Sequence, residues 1–292
     1  MDVLKLADGG ASAEIALAGA EARAWRVNGR DLLWPSDPAV WDQISPILFP
    51  VVGWTRDGAR VDGRHYALGL HGFAAAQTFS VETQSENAAR LTLRDNAETR
   101  AVYPFEFQLT VAYRLSESAL EMTIEIANRG AAPMPYACGL HPGFCWPFAG
   151  GSREDYVIHF EKPERPEVPV MVPGGLISQR KRPVPIEGST LKLGDELFAH
   201  DALCFIDPAS RSLKFVAPDG AAIALELGGF PHFALWMRGG ARFLCLEAWT
   251  GYSDPEGFAG ELKEKPAMRI LTSGDAARHS ATYAFTPAPG KN

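Results

Sequence analysis

The feature that most constrains this chain is its punctuation. Twenty-two prolines and 28 glycines are spread through 292 residues, so no continuous apolar stripe of period 3.6 survives long enough to build a core helix. Between these breaks run short segments of alternating character: "AEIALAG", "ARAWRVNGRDLLW", "FEFQLTVAYRL", "ALEMTIEIANRG", "DYVIHFE", "SLKFVAPDGAAIALELG" and "HSATYAF". A period of two is that of strands with one buried face. "VNGRD" and "APDG" read as hairpin turns, because Asn-Gly and Asp-Gly tolerate positive φ. Helical signals are confined to a turn or two in "DPAVWDQIS" and "DPEGFAGELKEK". The proline-rich stretch 162–188 reads as an extended excursion within one domain, since strand patterns of one kind continue on both sides. No internal repeat supports a propeller or solenoid. The fold class is all-β, a large twisted antiparallel β-sandwich spanning residues 1–292 as a single domain.

Composition narrows the partners. The net charge is −7 and no lysine- and arginine-rich block is present, which argues against nucleic acid. Cys138, Cys145, Cys204 and Cys245 lie in apolar surroundings without the paired spacing of a zinc site, and all four are expected to be buried free thiols. The start "MDVLKLADGG" lacks the basic and apolar regions of a secretory signal. No apolar stretch approaches the roughly 20 residues that span a bilayer. These readings predict a soluble, cytoplasmic protein, monomeric or homodimeric, whose partner is a small molecule and neither nucleic acid nor membrane.

Three segments place ionisable groups in apolar or glycine-rich surroundings: "LGLHGFAAAQTF" with His71, "GLHPGFCWPF" with His141, and "RFLCLEAWTGYSDPEG" with Glu247. Alternation in "FLCLEAW" sets Phe243, Cys245 and Glu247 on one face of a strand and Leu244, Leu246 and Ala248 on the other. A carboxylate in such a strand is costly to bury unless it is paired or faces a cavity. Desolvation beside Trp249 would raise its pKa into the range useful to a general base. His71 and His141 each occupy a "LH[G/P]" step that constrains backbone and ring together. His159, His65 and His279 read as ordinary strand or turn residues. No phosphate loop, G-x-S-x-G elbow, HExxH or EF-hand pattern is present.

Taken together, "SPILFPVVGWTRDG…LGLHGFA", "YPFEFQLTVAYRL", "GLHPGF" and "LCLEAWTGYSDPEG" resemble the aldose 1-epimerases, and among them the LacX-like branch of the galactose-mutarotase superfamily. The resemblance runs from about Ala22 to the closing "ILTSGDAARHSATYAF". It implies a large antiparallel β-sandwich with a sugar site on a concave face. It also implies that Glu247 takes the proton from the sugar's C1 hydroxyl, that His141 gives a proton to the ring oxygen, and that His71 orients the substrate. Asp201 matches a position whose carboxylate binds sugar hydroxyls, and Trp236 and Trp249 resemble pocket-lining rings. The sequence departs from the pattern twice. Trp54 stands where the LacX-like branch usually has arginine, with Arg56 two residues on as a candidate substitute, and Ala248 replaces a proline.

The expected activity is anomer interconversion of a free aldohexose, needing no cofactor and no metal because one carboxylate and one imidazolium complete the proton cycle. Three other readings stay open. Arg56, Arg60 and Arg64 would suit a hexose 6-phosphate if they met at the pocket mouth. A non-catalytic sugar-binding or sensing protein could use the same sandwich. A glycosidase or lyase would need a carboxylate pair, for which Asp201 and Glu247 are the candidates.

Overall fold

The computed structural model describes residues 2–290 and is built almost wholly of antiparallel strands. The alternating segments form them where the pattern places them. "FEFQLTVAYRL" supplies Phe107–Leu115 and "ALEMTIEIANRG" supplies Ala119–Asn128, paired along nine residues. The chain end "HSATYAF" lies inside the long strand Ala276–Thr286, which joins Ala119–Asn128 on one side and Ala222–Gly228 on the other. These strands belong to a ten-stranded sheet. Buried and exposed residues alternate along them, so one face meets the core and the other meets solvent.

A second sheet of six main strands lies against that core face. Its central strand, Phe243–Trp249, is buried at every position, as a strand covered on both faces must be. The two sheets touch through ring pairs, with Phe49 against Phe107 at 5.0 Å, Phe144 against Tyr283 at 5.3 Å and Phe160 against Phe233 at 6.0 Å. One polar bond crosses the layers, from the Tyr283 hydroxyl to the Leu246 carbonyl at 3.0 Å. Glu247 lines a cavity on this strand, and alternation turns Leu244, Leu246 and Ala248 to the opposite face.

The turns and minor elements differ from expectation in instructive ways. Asn28-Gly29 and Asp219-Gly220 close hairpins as expected. "DPAVWDQIS" forms no helix; it is a loop pinned by long-range bonds. Glu21 Oε1 accepts the amides of Ile44 and Ser45 at 2.8 and 2.9 Å, the Trp34 indole donates to the Trp41 carbonyl at 3.2 Å, and Arg238 donates to the Val40 carbonyl at 2.7 Å. The α-helix Ala97–Val102, capped reciprocally by Asn96 and Thr99, escaped the sequence reading because six residues are too short to show a period. The proline-rich stretch is a hairpin of Glu167–Val172 and Leu176–Pro183. The four cysteines are free, but Cys145, at the end of the short strand Gly143–Cys145, is only partly buried. No helix among the described residues is long and apolar enough to cross a membrane.

Glu21 thus fixes the loop that carries Trp41. Replacing it with alanine leaves two buried amides without an acceptor, at a cost of about 1–3 kcal/mol. Urea unfolding of Glu21→Ala should show that loss in the midpoint, with an unchanged slope.

Candidate active site

The register of one ladder assembles the centre of the site. Gly139 pairs with Trp249 and Gly143 pairs with Cys245 on the same strand. The strand is interrupted at His141 and Pro142, but the register is the same on both sides, which sets His141 across from Glu247. On the other flank Ala234 is opposite Glu247, and Cys204 is opposite Ala234. The small side chains of Ala234 and Cys204 leave open space beside the carboxylate. A cavity of about 230 Å³ occupies it, lined in part by Glu247, His141, His71, Asp201, Trp236 and Trp249.

His141 Nε2 lies 3.2 Å from Glu247 Oε2, and the Trp249 indole N–H donates to the same oxygen at 3.0 Å. Both groups are deeply buried, Glu247 at 1% exposure and His141 at 7%. Burial pushes the Glu247 carboxyl well above the usual carboxylate range, and nearby Asp201 adds to this while the Trp249 bond opposes it. Burial likewise pushes His141 well below 6.5, helped by neighbouring His71. Both shifts disfavour the charged forms, and together they favour a carboxylic acid beside a neutral imidazole, with the two atoms in contact. The Nδ1 atom of His141 is buried without a hydrogen-bond partner.

An aromatic enclosure fixes the His141 ring. Trp41 lies beside it at 5.3 Å, Trp236 meets it edge-on at 5.6 Å, and Phe243 stacks on Trp41 at 5.0 Å. The Trp249 ring, 6% exposed, is committed through its N–H to Glu247.

His71 comes from outside the sheet. It adopts a left-handed backbone, φ +59°, which is uncommon for a residue with a side chain. Gly72 follows with φ +74°, and a Cβ there would lie 2.2 Å from the Phe49 carbonyl oxygen, so this step requires "HG". The strain is offset by bonds to Gly53: the His71 amide donates to the Gly53 carbonyl at 2.9 Å, and the Gly53 amide donates to His71 Nδ1 at 3.0 Å. An Nδ1 that accepts leaves the ring proton of the neutral imidazole on Nε2, a fixed donor. Burial and the charge of Lys265 lower the His71 pKa to about 4. Asp201 is left-handed as well, φ +72°, with Oδ1 accepting the amide of Ala202 at 2.8 Å.

Arg56 does not line this cavity. Its amide donates to Asp254 Oδ2 at 2.7 Å, while its exposed guanidinium lies 3.8 Å from Asp57 over a neighbouring hollow. Position 54 itself faces the cavity, as tryptophan. Arg60 lines a third depression beside Phe105, and Arg64 is exposed on the strand Arg64–Tyr66, so the three arginines do not converge on the mouth.

Several contributors had no recognisable signal. Trp41 stood in a polar segment, where only a large aromatic ring among Asp, Pro and Gln hinted at a purpose. Met171, Gly175 and Ile177 reach the cavity from the proline-rich hairpin. Lys265, which reads as a solvated charge in "ELKEK", is buried and bonded to Asp254 at 2.8 Å, behind the segment that carries Gly53. Among the described residues, no group of three or more His, Cys, Asp or Glu side chains is placed to share a metal ion.

Comparison with known proteins identifies the family and the fold. The model of the aldose 1-epimerase family matches residues 2–266. The chromosomal protein LacX of Lactococcus lactis subsp. lactis is 30% identical over 265 residues, covering 87% of this chain and 89% of the relative. Among solved structures, a galactose mutarotase related enzyme from Lactobacillus acidophilus superposes with a TM-score of 0.88 at 25% identity, covering 98% of both chains. A galactose mutarotase-like protein from Lactobacillus casei reaches a TM-score of 0.90 at 25% identity, covering 98% of this chain and all of that one (100%).

Two measurements test the electrostatics. An unfolded histidine binds its proton near pH 6.5 and native His71 only near 4. Between those values the unfolded state holds more protons, so stability present above pH 6.5 is lost as pH falls, by up to about 3 kcal/mol from this residue alone. Urea unfolding at pH 7 and pH 4.5 should show the loss, and His71→Asn should reduce it. Lys265→Met leaves Asp254 buried without its cation and should cost about 3–5 kcal/mol. By removing a positive charge it should also raise the His71 pKa, which NMR titration would follow.

Proposed function

We propose that this chain, which belongs to the aldose 1-epimerase family, is a mutarotase that interconverts the α and β anomers of a free aldohexose by acid–base ring opening. The observation that carries this reading is the contact of His141 Nε2 with Glu247 Oε2 at 3.2 Å. Ring opening of a hemiacetal removes a proton from O1 and adds one to the ring oxygen, and both oxygens sit on the same carbon. An acid and a base side by side, opening onto one cavity, suit that demand.

The proton count follows from the chemistry. With one proton on the pair, the carboxylate of Glu247 takes the O1 proton while the imidazolium of His141 protonates the ring oxygen. The C1–O5 bond breaks, the C1–O1 bond becomes the aldehyde, and the pair is left as carboxylic acid and neutral imidazole. That is the arrangement burial favours. Rotation about C1–C2 and reclosure run the transfers backwards and restore the starting state. The Nε2–H of His71 is a donor for an oxygen of the anomeric centre, and Asp201 an acceptor for sugar hydroxyls. Trp41 and Trp236 offer apolar rings to a pyranose face.

The dispersal of Arg56, Arg60 and Arg64 removes the basis for a hexose 6-phosphate. A binding protein would need no matched acid and base. The pairing of Glu247 with an imidazole, and not with a second carboxylate, weighs against a glycosidase.

Anomer exchange of D-glucose and D-galactose, followed by polarimetry from freshly dissolved α anomers, should be accelerated by the wild type. His141→Asn and Glu247→Gln should each lower kcat by about 10²–10⁴-fold; sugars left at their uncatalysed rate by the wild type would end the mutarotase reading. The pH profile should be bell-shaped. Because burial holds His141 below 6.5, the acid limb, where the pair gains a second proton, should fall below pH 6.5. The alkaline limb marks loss of the single proton and lies above the ordinary carboxylate value.

A further inference from the structure

Trp54 lines two cavities. On its inner side is the cavity of Glu247 and His141. On its outer side is a larger hollow of about 600 Å³, walled by neighbouring residues of the same chain segments: Gly69 beside Leu70, Gly174 beside Gly175, and Leu176 beside Ile177. Trp54 is common to both linings. Exposure rises from 1% at Glu247 to 41% at Trp54, so the path from the proton pair to Trp54 runs from floor to mouth. One side of the indole is seated on backbone: at Gly175, φ +69°, an added Cβ would lie 2.0 Å from Trp54 Cδ1.

We propose that the outer hollow is a second sugar subsite, and that the preferred substrate is a reducing disaccharide or longer oligosaccharide. Its reducing-end hexose occupies the inner cavity, and the next ring stacks on Trp54. The proposal rests on the mutarotase reading and deepens it. In a hexopyranose, O4 and O6 lie across the ring from C1. With C1 at the floor against Glu247 and His141, a substituent on either oxygen leaves through the mouth, past Trp54. A glycosidic bond there leaves C1 free, so the hemiacetal still opens.

The lining suits a neutral sugar. Trp54, Pro173 and Leu176 present apolar surface for a pyranose face. Arg56, Asp57 and His65 present hydrogen-bonding groups for hydroxyls. The Arg56 guanidinium lies 3.8 Å from the Asp57 carboxylate, so a phosphoryl group that reached it would meet that negative charge as well.

The test compares sugars that share one reacting ring. Magnetisation exchange between α and β anomeric protons gives kcat/KM for D-glucose, maltose and isomaltose, the last two carrying a second glucose on O4 or O6. At least one disaccharide should exceed glucose by about tenfold or more. Trp54→Ala should bring that ratio close to one, Trp54→Phe should retain most of it, and Ala67→Trp, which fills the outer hollow from an exposed position, should abolish it. Disaccharides turned over no better than glucose would overturn the proposal, as would a preference unmoved by both Trp54→Ala and Ala67→Trp. If glucose, galactose and both disaccharides are left at their uncatalysed rates, the mutarotase reading fails separately. Calorimetry with the same sugars and variants then decides the subsite: tighter disaccharide binding that Trp54→Ala removes sustains it, and equal or absent binding overturns it.

Discussion

A carboxylate at the centre of a doubly covered strand is the constraint on which the rest of the site depends. An isolated charge at Glu247 would cost several kcal/mol to desolvate. The fold answers it from each side with something different. On one flank stands His141, whose Nε2 lies 3.2 Å from the carboxylate oxygen. Two residues along the strand, Trp249 turns its indole N–H back onto the same oxygen. On the remaining flank Ala234 and Cys204 supply no polar group and little bulk, which makes room for a ligand. The device that makes burial tolerable therefore also places an acid–base pair at the wall of a cavity.

Such a pair works only if its atoms hold still, and the surrounding structure is organised around that need. The ladder fixes the His141 backbone, and Trp41, Trp236 and Phe243 fix its ring. His71 is held in a left-handed conformation by two bonds to Gly53. The segment that follows Gly53 is in turn tied to Asp254 and Lys265: the Asp254 amide donates to the Trp54 carbonyl at 2.9 Å, and the Arg56 amide donates to Asp254. Strain at His71 and a buried ion pair at Lys265 both run against stability taken alone. Together they aim the imidazole Nε2–H and keep a positive charge near it; burial first, and that charge second, hold the ring neutral above about pH 4.

What the sequence discloses follows from the range of the forces involved. Alternation is local, so the long strands of the larger sheet were legible from the pattern alone. Glu247, His141 and His71 were legible because an ionisable group in an apolar segment is costly, and the cost shows without any structure. Register was not: nothing in "LHPGF" or "LCLEAW" says that residues 141 and 247 face each other, and only the family resemblance paired them. Trp41 and Lys265 were illegible for a stronger reason. Each sits in a stretch whose local character is polar, and its placement is set by partners outside that stretch, Glu21 and Trp34 for the loop of Trp41, Asp254 for Lys265. Arg56 was placed at the pocket by alternation from position 54, but the chain there follows the bonds of Asp254 and is not a regular strand, so alternation gave no guide.

The division between sheet and loops also separates chemistry from selection. Glu247 lies in a strand, and His141 lies between two short strands that pair with it, whose register cannot slip by one residue without turning a buried face outward. Trp54, Leu70, Met171 and Gly175 lie on loops and on a hairpin beside the mouth, where a substitution changes the lining and leaves the ladder intact. An arginine at position 54 would put an uncompensated cation over the passage between the cavities and favour an anionic substituent. Tryptophan there offers a flat apolar face, and the nearest arginine, Arg56, stands beside the Asp57 carboxylate. On the proposed reading, the same His141–Glu247 pair could serve different sugars according to what stands at the mouth, where Trp54 offers a ring surface in this chain.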